Sequence, residues 1–243
     1  MKIAVAQTRP VKGDLARNLE SHVRFVKKAL AEKAGLLVFP ELSLTGYEPA
    51  LARELRTDPA DGRLDVLQAL SDRHGIVIGA GLPTGQGSET LISLLIFRPG
   101  AARLVYSKQH LFPPEREVFS AGHNPLVLNL DAETIVAPAI CYELSHTEHH
   151  EQARRQGATV YLASVLHSAG GLAQGNEQLA AIAREYGMTV FMSNYVGWSG
   201  GYECAGNSAV WGEGGRRIAS LDGEREGLLF YDTGTGQATV LQF

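Results

Sequence analysis

The chain has 243 residues, 44% of them apolar and 20% charged. That is long enough to bury a core of its own and excludes a disordered or collagen-like chain. A formal net charge of −4 excludes the basic stripe that neutralises phosphates, so the expected partner is a small molecule and not nucleic acid.

Two cysteines, Cys141 and Cys204, are too few for a disulfide framework, and a reactive thiol is kept in a reducing compartment, so a cytoplasmic location is expected. The run from Ile3 to Ala6 is too short for a secretion signal, and no apolar run reaches membrane-spanning length. Neither export nor a membrane partner is expected. A single domain over residues 1–243 is the simplest organisation.

Residues 2–7 read as a buried strand ended by Thr8 and Pro10. Leu19, Val23, Val26 and Leu30 then recur at helical spacing, with Gly35 as the stop signal, and Leu36 to Phe39 is a second strand. A β-α-β unit of this kind belongs to a parallel sheet. Further along, the pattern predicts a helix over 64–74, a strand over 76–80, and a hairpin from 91–97 and 103–106. The second half repeats the scheme: strands at 127–130 and 134–140, a helix over 147–156, a strand at 161–163, and a helix over 175–186. Strands at 189–193, 208–211, 217–220 and 228–231 complete it. Roughly eleven strands are too many for one open sheet with four helices, so an α/β four-layer αββα sandwich of two sheets is expected over one doubly wound sheet.

Three polar residues stand immediately beyond apolar strands: Glu41 after LLVFP, Lys108 after RLVYS and Cys141 after IVAPAI. Ligand sites of α/β sheets gather at the carboxyl ends of strands, so these residues are candidates to converge. They also suit one chemistry. A thiol nucleophile needs a base, and the oxyanion that it creates needs a cationic or hydrogen-bonding partner.

The segments FPELSLTGY at 39–47, YSKQHLF at 106–112 and AICYE at 139–143 resemble, in order and spacing, the signature segments of the nitrilase superfamily of carbon-nitrogen hydrolases. GAGLP (79–83), SNYVG (193–197) and AGNSAVW (205–211) extend the resemblance over nearly the whole chain. It implies the αββα sandwich, a Glu-Lys-Cys triad at Glu41, Lys108 and Cys141, no metal or organic cofactor, and homodimers or larger assemblies. In EREVFSAG (115–122) the family's accessory glutamate falls on Glu115 rather than Glu117. Many relatives follow the nucleophile with Tyr-Asp and an Arg-Phe-Pro-Glu run, where this chain has Glu143 after Tyr142 and then LSHTE, keeping only Glu148 of the run, and many carry arginine where Ile182 stands.

Reference pKa values leave about 3% of a free thiol ionised at pH 7 and make its proton transfer to a free glutamate uphill by roughly 5.7 kcal/mol. A lysine beside the sulfur is expected to lower the thiol, and burial with a second carboxylate at Glu115 to raise Glu41.

Tyr47, Tyr142, Tyr195 and Trp198 lie near motif ends and are candidates to line the substrate pocket, with core packing as the alternative and the backbone N–H of Tyr142 as an oxyanion donor. His110 and Phe112 are placed to position Lys108 or to pack. His146, Glu148, His149 and His150 lack the glutamate directly after the first histidine that a zincin requires, so a solvated helix start is expected there, not a metal. Cys204 matches no catalytic segment and reads as a structural thiol.

The expected activity is hydrolysis of a small amide. Within the family the alternatives are N-carbamoyl compounds and nitriles, and Tyr142, where nitrilases commonly carry Trp, speaks against the last. A catalytically silent assembly protein with the same fold is the alternative outside enzymes.

Overall fold

The computed structural model describes residues 1–243, apart from the side chain of Gln86. In chain order the elements are β1 (Lys2–Gln7), α1 (Leu15–Ala31), β2 (Leu36–Val38), α2 (Asp65–His74), β3 (Val77–Gln86), β4 (Glu89–Arg98) and β5 (Ala101–Ser107). The second half holds β6 (Leu128–Asn129), β7 (Ile135–Ile140), α3 (Thr147–Arg155), β8 (Val160–Ser164), α4 (Ala169–Tyr186) and β9 (Thr189–Ser193). It closes with β10 (Val196–Ser199), β11 (Tyr202–Ala205), β12 (Ala209–Trp211), β13 (Arg217–Ser220), β14 (Gly227–Asp232) and β15 (Gln237–Gln242).

Two mixed sheets result, in the orders β15-β14-β1-β2-β3-β4-β5 and β13-β12-β9-β8-β7-β6, with β10 and β11 paired apart. Each has a parallel centre, β1-β2-β3 and β7-β8-β9, flanked by antiparallel strands. The central strands are apolar on both faces because both faces are covered. Ile3, Val5, Leu36, Val38, Val160 and Leu162 pack between the sheets. On alternate positions Ala4, Ala6, Leu37 and Phe39 meet the first pair of helices, and Ala137, Ala139, Tyr161 and Ala163 meet the second. The αββα layering is therefore as expected.

The sheets are also pinned to each other by buried hydroxyls. Ser164 Oγ donates to the carbonyl of Phe39 (2.8 Å), and Ser193 Oγ to those of Ala6 (2.6 Å) and Val38 (3.2 Å). These bonds tie carbonyls at and just beyond the carboxyl ends of β1 and β2 to serines of the other sheet, and they fix the register of one sheet against the other.

Several expectations need correction. The strand tally was short: β10, β11 and β15 are additional strands, and β3 runs on past Ala80 to Gln86 through Gly81, Pro83 and Gly85. Helix α4 begins at Ala169 rather than 175, because Gly170 and Gly171 weaken the helical signal by about 1 kcal/mol each without preventing the helix. The start of α3 is solvated only in part, at Thr147 and Glu148. His149 and His150 are buried, with His149 between Tyr106 and Tyr161 (2.7 and 2.8 Å).

Candidate active site

The carboxyl ends of β2, β5 and β7 meet at one rim of the sandwich and deliver Glu41, Lys108 and Cys141 together. Glu41 sits in the turn after β2, whose Phe39 N–H still pairs with the carbonyl of Gly79 (2.9 Å). The turn presses so close to β3 that a Cβ on Gly81 would lie 2.4 Å from Leu42 N, so only glycine fits there. Tyr195 lies behind it and donates its hydroxyl to the carbonyl of Glu41 (2.5 Å).

Lys108 directly follows β5 and keeps that strand's pairing through its N–H to the carbonyl of Ile92 (2.8 Å). Its side chain is 0% exposed, and Nζ donates to Oε1 of Glu41 (2.7 Å) and Oε1 of Glu115 (2.8 Å). Glu115, in the short helical turn Pro113–Glu117, also accepts from Tyr47 OH (2.9 Å) and, through Oε2, from Phe112 N–H (2.8 Å). Glu117 is exposed, so it is Glu115 that faces the lysine.

Cys141 opens the short turn Cys141–Ser145 after β7 with φ of +47°, a left-handed conformation that a non-glycine residue adopts only under constraint. The constraint is Glu143. Its Oε2 accepts from Ile140 N–H (2.6 Å) and Tyr106 OH (2.8 Å), and its Oε1 from Gln109 N–H (2.6 Å). One buried carboxylate thus clasps the residue before Cys141 and the residue after Lys108. Sequence reasoning registered Glu143 only as a departure from the family pattern.

Burial raises the Glu41 carboxyl to about 7, against the pull of the Lys108 cation and with the push of Glu115. Burial alone would lower Lys108, but the carboxylates around it hold it well above the usual lysine value. The thiol of Cys141 departs from expectation. Burial and then the charge of Glu41 push it up, and Lys108 offsets this only in part.

A cavity of about 350 Å³ opens over these groups. One wall carries Glu41, Cys141, Glu115, Tyr47 and Tyr142; the other is the loop at Leu166–Ser168 and one face of α4, with Gly171, Gln174, Gly175 and Gln178. Of the four aromatic candidates, Tyr47 and Tyr142 line the cavity. Tyr195 is fully buried behind Glu41, and Trp198 stands 67% exposed on β10, away from the lining. Phe112 lines the mouth, edge-on to Tyr142 at 5.4 Å, while His110 stacks on His146 at 4.0 Å. Cys204 is a buried thiol on β11. Among the described residues no group of three or more His, Cys, Asp or Glu is arranged to hold a metal, and no helix is long and apolar enough to cross a membrane.

Residues 2–239 match the family model described as carbon-nitrogen hydrolase. The chain belongs to the carbon-nitrogen hydrolase family. Among curated proteins it is 27% identical to the 2-oxoglutaramate amidase of Bacillus subtilis (strain 168), over 89% of this chain and 84% of that protein. It is 32% identical to an (R)-stereoselective amidase of Pseudomonas sp, over 67% of this chain and 59% of that one. Among solved structures it resembles an amidase from Nesterenkonia sp. AN1 in which acrylamide has added to the active-site cysteine. The TM-score is 0.85 at 27% identity, covering 96% of this chain and 92% of that one. As a member of this nitrilase-superfamily group, the chain is an amidase-like carbon-nitrogen hydrolase.

Proposed function

We propose that this hydrolase cleaves a small carboxylic amide through a thioester on Cys141, with Glu41 as proton carrier and Lys108 as electrostatic partner. The observation that carries the reading is the asymmetry of Glu41. Its Oε1 is held by Lys108, while Oε2 is buried, has no hydrogen-bond partner, and belongs to a side chain lining the cavity that Cys141 also lines. A buried acceptor left open is costly unless a reacting group is to occupy it.

Because the thiol is held high and Glu41 lies near 7, the resting site keeps its proton on sulfur. The proton passes to Glu41 as the sulfur attacks the carbonyl carbon. Lysine has three N–H donors; Glu41 and Glu115 take two, leaving the third for the oxyanion beside the N–H of Tyr142 in the first turn after β7. Glu41 then returns its proton to the departing nitrogen, and ammonia or an amine leaves. Water, deprotonated by Glu41, cleaves the thioester to the acid and restores the thiol. Glu115 holds Lys108 and touches no reacting atom. The reading includes a cytoplasmic setting and homodimeric assembly, which the free thiol and the family resemblance suggest.

Ammonia release across a panel of amides, ureido acids and nitriles tests it. Amides are expected to lead, and Cys141→Ala to lose about 10⁴-fold or more in turnover. Retained turnover in Cys141→Ala, or a strong preference for nitriles, would overturn it.

A further inference from the structure

The wall facing the nucleophile has no part in the chemistry above, yet it is built with care. His167 is fixed through its main chain: its N–H donates to Asn194 Oδ1 (2.8 Å), and its carbonyl accepts from Asn194 Nδ2 (3.1 Å) and Ala205 N–H (2.9 Å). The Cε1–Nδ1 edge of the ring lies against α4 at Gly175. A Cβ on Gly175 would come within 2.3 Å of its Cε1 and 2.5 Å of its Nδ1, so glycine there makes the berth for the imidazole.

Against that glycine, Nδ1 is buried and has no partner. Nε2 makes no hydrogen bond to the protein, although the residue lines the cavity. Orphaned buried N–H groups are rarer than orphaned acceptors, which favours the tautomer with its hydrogen on Nε2. Burial also lowers this histidine to about 4, so the ring is uncharged at neutral pH.

The surroundings extend the pattern. Gln174 and Gln178 project from the same helix face, and Gln178 donates to Ser145 Oγ (3.1 Å) with its carbonyl oxygen left over. The described lining contains no arginine and no lysine. The nearest ammonium, Lys108, is buried and already shared between two carboxylates. A substrate carboxylate would meet neutral donors and the field of Glu41 and Glu115, with no cation to compensate it.

We propose that this wall is a neutral hydrogen-bonding subsite centred on His167 Nε2, and that it selects amides whose acyl chain bears an uncharged acceptor in preference to a carboxylate. The inference rests on the amidase reading and names its substrate class.

The test uses three amides of nearly one shape: succinamide, its carboxylate twin succinamate, and 4-methylpentanamide as the apolar counterpart. For the wild type, kcat/KM from ammonia release at pH 7.5 is expected to favour succinamide by about tenfold or more over each of the others. His167→Phe keeps a ring against Gly175 and removes both nitrogens. It should lower the ratio of succinamide to 4-methylpentanamide by about tenfold, a readout that general loss of folded protein does not move. His167→Gln, with a donor of similar reach, should recover part of that ratio.

Succinamate equal to or better than succinamide, or a ratio unchanged in His167→Phe, would overturn the proposal. If amides are cleaved but the apolar one is preferred, only this inference falls. If the wild type cleaves no amide, the amidase reading falls and takes the subsite with it.

Discussion

The two walls of the cavity were made by different means. On the Cys141 side, Glu41, Lys108 and Cys141 each stand just beyond an apolar strand, where a run such as LLVFP or IVAPAI announces the position and the sheet delivers the side chain. On the facing side, the lining comes from the first turns of α4, where Gly171 and Gly175 stand. The first wall uses the fold's regular geometry. The second departs from local helix preference to open space and to seat an imidazole, and such departures are expected where function competes with propensity.

This contrast gives an order of expected effects. The largest belongs to Lys108→Met, which leaves Glu41 and Glu115 buried without their cation. Stability should fall by about 3–5 kcal/mol in denaturant titration, and amide turnover should vanish with it. Near-normal stability would mean that the carboxylates take up protons at no cost, and the nucleophile-side wall would be less rigid than its hydrogen bonds indicate.

Next comes Glu143→Gln, which places an amide N–H₂ against the N–H of Ile140 or Gln109. A loss of about 1–3 kcal/mol is expected. Because those backbone atoms flank Cys141 and Lys108, kcat should fall more than KM rises, with Glu143→Asp intermediate. Equal changes in both constants would reduce Glu143 to a packing residue.

The pH profile sharpens the comparison further. In the proposed cycle Glu41 must be ionised to accept the thiol proton, and burial places it near 7. The kcat/KM of the free enzyme should therefore rise as pH increases through about 7 and then level off, instead of being flat from 5 upward as for an ordinary glutamate. In Glu41→Gln that limb should disappear along with the activity. The smallest effect is predicted for Trp198→Ala: with the indole exposed and outside the lining, kcat/KM should stay within about twofold of the wild type.

The same contrast explains what was legible in the sequence. Glu41, Lys108, Cys141 and Glu115 were readable because strand ends and ordered segments mark them, and the two-sheet architecture followed from the strand tally. His167 and the first turns of α4 were not. Glycines conceal a helix start, and a histidine after an apolar strand carries no mark of its neighbour across the cavity. Strand β15 (QATVLQ) escaped notice because an edge strand needs only one covered face and one partner, so half its residues are polar. The raised thiol was missed for another reason: the sequence names the cation beside the sulfur but not the depth at which both are buried.

The left-handed backbone at Cys141 has a further consequence. Glycine would adopt that conformation about 1 kcal/mol more comfortably, so the proposed nucleophile stands where the chain would gain resilience by discarding its sulfur. Laboratory evolution scored on thermal survival alone would drift toward inert proteins, and any hardening of this enzyme has to be selected under turnover.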